Sequence, residues 1–312
     1  MVFGGMRRTR LMPFVATAFY MLILTVAGVT VSSPASAQVS APSGQNIAPS
    51  FEGWEQNADG SFNLVFGYFN RNWDEEIDLP IGPDNSLSPG VPDRGQPTHF
   101  LPRRNRFIFR VRVPKDFGKQ EVVWTLTSHG QTERAYATLK PDYFINDIVI
   151  MNNNGAGGAG GGAPETIGNI GPTLSVDGET FRRAKVGEPV DLSATGHDDG
   201  KPKVKSMPLS TSAAGRAARG TPNAATGLRL SWFLYRGENK VTFDPPQTKV
   251  WEDYRDGASS PWSPGWVPPP VPPDGKWHVR ATFSEPGTYV LRCQAHDGGL
   301  SATEDITVVV DR

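Results

Sequence analysis

The stretch ATFSEPGTYVLRCQAHDGGLSATEDITVVV, Ala281 to Val310, decides the fold. Tyr289, Leu291, Cys293 and Ala295 alternate with Val290, Arg292, Gln294 and His296, the period of two expected of a strand with one buried face. Pro286-Gly287 bends the chain before it and Asp297-Gly298-Gly299 turns it afterwards. Ile306, Val308 and Val310 then resume the alternation. Two antiparallel strands, a corner and a tight turn form the closing hairpin of a β-sandwich.

Upstream of this hairpin, Val190-Asp191-Leu192-Ser193-Ala194 predicts a strand. Leu228 to Tyr235 predicts another with Trp232 at its centre, and Trp277, Val279, Ala281 and Phe283 mark a third. Two insertions interrupt this block, residues 201–227, rich in Ala, Ser, Pro and Lys, and residues 244–275, rich in Pro and Trp. The order reads A, B, insertion, C, C′, insertion, E, F, G, a sandwich spanning residues 170–312. The Gly-rich run NNNGAGGAGGGA within residues 151–169 offers no large apolar side chain to offset the entropy of ordering it, and is expected to be a flexible linker.

Residues 51–150 read as a first sandwich. Asn57-Ala58-Asp59-Gly60 is a hairpin turn, and Phe62, Leu64, Phe66 and Tyr68 share one strand face. Phe107, Phe109, Val111 and Val113 share another, and Val122, Trp124 and Leu126 lead into the turn Ser128-His129-Gly130-Gln131. The fold class is therefore all-β, with two sandwich domains. Residues 38–50 are expected to be a disordered tail. Residues 1–37 read as a secretory signal, with Arg7, Arg8 and Arg10 before the apolar run Phe14 to Val31 and Ala35-Ser36-Ala37 as the cleavage signature. An uncleaved anchor is the alternative, since the apolar run is long enough to span a bilayer.

Removing that segment takes three of the 31 basic residues and none of the 32 acidic ones, so the mature chain carries a formal charge of about −4. This balance gives no reason to expect nucleic acid. Cys293 is the only cysteine, so no intramolecular disulfide forms. No second apolar run long enough to cross a membrane follows the signal. The expected location is the periplasm, cell surface or extracellular medium.

PVDLSATGHDDGKPK (Pro189 to Lys203), LSWFLY (Leu230 to Tyr235) and the closing hairpin resemble the PKD-like and immunoglobulin-like modules of secreted bacterial proteins. The two insertions and Cys293 depart from that pattern. FGYFNRN at Phe66, LPIGPDN at Leu79 and DRGQPTHFLPRRNRFIFRVRVP at Asp93 resemble a small β-sandwich module of such proteins. The first resemblance implies an adhesive, spacer or ligand-binding module and transfers no catalytic residue; the second transfers no function.

Three constellations stand out. His197-Asp198-Asp199-Gly200 and His296-Asp297-Gly298-Gly299 lie in the B to C and F to G connections, which share one end of such a sandwich. Imidazoles with carboxylates suit calcium or another divalent metal, whereas turn geometry alone also requires Asp and Gly; neither spacing is diagnostic, which favours turns and no cofactor. Trp251, Tyr254, Trp262 and Trp266, interleaved with prolines, are the candidate ligand-binding residues, either stacking on a protein or carbohydrate partner at the cell surface or folding down as core. In the first domain Arg94, Arg103, Arg104, Arg106, Arg110 and Arg112 form a basic cluster and Asp74, Glu75, Glu76 and Asp78 an acidic one. No phosphate loop, nucleophile elbow or zinc-peptidase motif is present. The expectation is a non-enzymatic binding or accessory module. A structural spacer or cell-surface assembly component is the alternative, and a metal-dependent enzyme using the loop-end His and Asp residues is the third reading.

Overall fold

The computed structural model describes residues 1, 2, 4, 41–158, 161–209, 223–238 and 240–312. The expected signal lies outside these except for Met1, Val2 and Gly4, as do residues 210–222 of the first insertion. Among the described residues no helix is long and apolar enough to cross a membrane.

The first sandwich comprises β1 (Ile47–Gln56), β2 (Phe62–Asn70), β3 (Ile77–Asp78), β4 (Asn85–Ser88), β5 (His99–Phe100), β6 (Arg103–Val113), β7 (Val122–Ser128) and β8 (Gln131–Ala137). Sheet β1-β2-β6 and sheet β4-β7-β8 contribute to one core, and β3 pairs with β5 beside them. The alternating residues of β2, β6 and β7 supply that core. Phe66 stacks on Phe109 at 5.1 Å between centroids, and Trp124 meets Phe109 edge-on at 4.9 Å. The indole N–H of Trp124 donates to Asn85 Oδ1 at 3.1 Å.

The second sandwich comprises β9 (Thr173–Val176), β10 (Phe181–Lys185), β11 (Val190–His197), β12 (Arg229–Arg236), β13 (Val241–Asp244), β14 (Lys276–Phe283), β15 (Gly287–His296) and β16 (Ser301–Asp311). Its sheets are β13-β14-β11-β9 and β10-β16-β15-β12, with β10 parallel to β16. This is the immunoglobulin-like arrangement. The hairpin read from sequence pairs in full register, from Gly287 with Val310 to His296 with Ser301. Trp232, Tyr289, Leu291 and Cys293 sit in the core. The Tyr289 hydroxyl donates to Glu285 O at 2.9 Å, closing a tyrosine corner.

Three expectations are corrected. Residues 41–50 are not disordered: β1 starts at Ile47, which is fully buried, and Ala41 and Pro42 accept backbone hydrogen bonds from Trp73, Asp74 and Glu75. The strand read as C′, β13, pairs with β14 and so belongs to the opposite sheet as strand D, the chain turning at Gly237, φ +133°, directly after β12.

The segment expected to be a flexible linker begins inside a helix, α1 (Asp147–Asn154). Asn146 caps it by accepting the Val149 N–H, and Gly155 ends it in the left-handed region. Ile150, Met151 and Ala156 are buried with Leu300 of the second sandwich. The glycines serve close approach: a Cβ on Gly161 would lie 2.3 Å from Ile148 O, and Gly298, at φ +105°, would meet Thr226 at 2.7 Å. Compositional arguments miss this use because contact through backbone leaves no apolar signature.

β12 is buried along both faces, unlike an ordinary sandwich strand with one wet side. Phe233 and Tyr235 point away from the second core into a cluster with Leu101, Ile108, Val250, Trp251 and Val290, which joins the two sandwiches. Around it, Tyr235 donates to Gly95 O and accepts from Thr98 N through its backbone carbonyl. Arg236 forms a bidentate pair with Asp93 at 2.7 and 3.0 Å. Arg292 is the keystone: bidentate with Asp305 at 2.7 and 2.8 Å, donating to Ile108 O at 2.6 Å, and 3.5 Å from the Tyr235 ring centroid. Replacing Arg292 with Leu is expected to cost about 2 kcal/mol, because Ile108 O and the Tyr235 ring lose a buried cationic donor, whereas Asp305, 37% exposed, is left to water. Calorimetry should show the single unfolding transition broadening or splitting in two; an unchanged single transition would show that the joint does not couple the sandwiches.

Candidate functional site

The end of the second sandwich carrying the B to C and F to G connections collects most of the residues singled out from sequence. At the close of β15, Asp297 is fully buried; its Oδ1 accepts from Gly299 N at 2.5 Å and Leu300 N at 2.7 Å, and its Oδ2 from Asn169 Nδ2 at 3.1 Å. Asp199 accepts from Lys201 N and Ile170 N, and Asp198 from Gly200 N at 3.0 Å. These are turn-forming bonds. His296 Nδ1 accepts from Gly298 N at 2.8 Å; burial, and then the charge of Arg229, press its pKa well below the ordinary value, so the ring is neutral. His197 is exposed.

The five candidates therefore converge only in part. Burial, with the Asp297 charge adding to it, pushes the Asp198 carboxyl up to about 6, and Asp198 Oδ1 and Asn169 Oδ1 are both buried without a partner. Among the described residues no three His, Cys, Asp or Glu side chains come together as a metal would require. The arrangement organises the ends of two strands.

Both insertions return to this end and interlace. Lys205 and Thr226 exchange backbone hydrogen bonds, Ala225 N donates to Pro261 O at 2.9 Å, and Met207 N to Trp266 O at 2.9 Å. A polar knot holds the second insertion. Asp253 is fully buried and accepts from Lys249 at 2.6 Å and from Arg255 at 2.7 and 2.9 Å; burial opposes its ionisation, yet these bonds hold it at about 2. Arg255 continues to Asp74 of the first sandwich at 2.7 Å, and Arg106 reaches Glu252.

The four aromatic candidates occupy this scaffold. Trp262 is 6% exposed, and Trp251, Tyr254 and Trp266 are half-buried. Trp251 packs into the joint, Tyr254 donates to Glu252, and Arg229 approaches the Trp266 ring at 5.8 Å. The basic cluster of the first domain is spread over separate partners: Arg104 with Glu52, Arg110 with Glu55, Arg112 with Asp59, and Arg103 4.1 Å from the Trp73 ring centroid.

A cleft of about 730 Å³ opens between the sandwiches, with Asp74, Glu76 and His99 on one wall and Lys240, Gln247 and Trp251 on the other. Sequence reading placed the acidic run but missed His99, whose partners lie more than twenty residues away. His99 Nδ1 lies 2.7 Å from Asp78 and Nε2 3.1 Å from Glu76. Burial works against its charge, but the two carboxylates outweigh it and raise the pKa to about 9.

Two pH effects follow. The imidazolium of His99 stabilises the fold fully below about pH 6.5, and that contribution is lost as pH rises through about 9, with an upper size of ~3 kcal/mol. Urea unfolding at pH 6 and at pH 9.5 should differ less in His99→Gln than in the native protein. Asp198 has the opposite sense for a carboxyl: its favourable protonated form is present below about 3.8 and lost through about 6, leaving a cost at neutral pH. Asp198→Asn should therefore stabilise by about 1 kcal/mol at pH 7 after allowance for solvent screening, and change little near pH 4, as read from melting temperature.

No family model matches the chain, and no curated protein sequence matches it. Among solved structures, the filamin domain of Lin-41 is 12% identical, covering 46% of this chain and 99% of its own, with a TM-score of 0.22. Domains 4 and 5 of the S-layer protein SbsC are 9% identical over 62% of this chain and 66% of theirs, also at 0.22. The fibronectin(III)-like modules of Clostridium thermocellum CbhA are 9% identical over 85% and 90%, again at 0.22. The immunoglobulin-like assignment rests on the strand order of the second sandwich, not on these distant likenesses.

Proposed function

We propose that the protein is an exported, non-enzymatic accessory module that recognises a protein partner through the insertion-built end of its second sandwich. The observation that carries this reading is the exposure of aliphatic side chains on a braced scaffold: Val204, Leu209 and Val267 are 74, 82 and 64% exposed, beside the backbone pairing of Met207 with Trp266. Exposed apolar groups on a fixed framework favour association with a protein surface. A carbohydrate partner is less well served, because stacking on sugars uses open aromatic faces and Trp262 is buried. Export and a location in the periplasm, at the cell surface or in the medium belong to the same proposal and rest on the reading of residues 1–37.

The alternative, a structural spacer, is favoured by the joint at β12, which fixes the sandwiches to one another. A photo-crosslinking side chain placed at position 267 of the full chain separates the two. The recognition reading expects a defined partner whose saturable binding to the purified protein weakens about tenfold, ~1.4 kcal/mol, in Val267→Asp with no fall in melting temperature. Capture of nothing but further copies of the same chain would reject that reading in favour of assembly.

A further inference from the structure

On the face of β12 and β15 that looks toward the joint, Arg229 pairs with His296 and Ser231 with Gln294. The second insertion lays Trp262 and Lys249 over them, enclosing a cavity of about 10 Å³, room for the centre of one water-sized sphere. Among the described residues no carboxylate lines this cavity. Its wall is instead rich in donors.

Arg229 is 5% exposed, and its guanidinium forms no ion pair: Nη1 donates to Ala225 O and Gly227 O at 3.4 and 3.3 Å, and Nη2 lies 3.4 Å from His296 Nδ1. The Trp262 indole N–H is buried and has no hydrogen-bond partner. His296 Nδ1 already accepts from Gly298, so its ring proton resides on Nε2. The nearby carboxylates are committed elsewhere, Asp297 to Gly299, Leu300 and Asn169, and Asp253 to Lys249 and Arg255. Both residues line one void: the Arg229 charge is buried among neutral acceptors with only the Asp297 charge acting on it, and the Trp262 N–H has no acceptor, which is costly.

We infer that this cavity binds one small monovalent anion of the halide class, held by the Arg229 guanidinium and the Trp262 indole N–H. Its size excludes sulfate, phosphate and carboxylates, and the walls must move slightly outward to take a halide, which is larger than water; its position between β12, β15 and the second insertion makes the anion a pin that seats the insertion on the sheet.

Unfolding of the full chain in sodium chloride against sodium gluconate, at constant ionic strength, tests this. The expected result is halide-specific stabilisation that, above the dissociation constant, grows about 1.4 kcal/mol per tenfold in chloride. It should vanish in Arg229→Gln and weaken in Trp262→Phe, which removes the donor while keeping an aromatic ring if the arginine variant fails to fold. Crystals grown in bromide should give an anomalous peak between the two side chains. Equal stability in chloride and gluconate, retention of the halide effect in Trp262→Phe, or an ordered water without bromide at that position would each overturn the inference.

Discussion

Everything that distinguishes this molecule from two beads on a string depends on β12 being buried on both faces. Trp232 and Leu234 fill the second core while Phe233 and Tyr235 fill the joint, so one strand contributes to two hydrophobic clusters at once. Burying the outer face also strands polar groups away from water, and each must find a partner inside the protein. Arg292 answers that need by meeting Asp305, Ile108 O and the Tyr235 ring together.

The same constraint explains the unusual density of charge at the interface. Asp253 with Lys249 and Arg255, Arg106 with Glu252, Arg255 with Asp74 and His99 with Asp78 and Glu76 all lie on surfaces that the joint or the second insertion covers in part. Buried pairs add little net stability compared with apolar packing, but removing one partner is expensive, which makes them effective at specifying a single arrangement. The second insertion therefore works chiefly as a mortise. Trp262 is buried and Trp251 packs into the joint, while Val267 and Val271 are left facing solvent.

Much of this was legible in the chain. The alternation in Tyr289 to Ala295, the turn at Asp297, the tyrosine corner and the central Trp232 all follow from local period and turn chemistry, and all are present. The shared end of the His197 and His296 turns followed from strand order, and the charge of Asp297 adds to burial in raising the Asp198 carboxyl there. The close packing of Gly157, Gly158 and Gly161 was not legible, since glycine reads alike whether it permits flexibility or close contact. Nor was the pairing of His99 with Asp78 and Glu76, because ion pairs between distant segments leave no periodic trace.

The sequence by itself determined two all-β sandwiches, their strand faces and the shared end of the His197 and His296 turns, because side-chain alternation and turn residues act over a few positions. Only the tertiary structure decided that the sandwiches are joined rather than tethered, that strand D crosses to the opposite sheet, and that Trp262 of the second insertion is buried. Those outcomes depend on which surfaces meet, and burial against a distant segment is a property of the assembled fold.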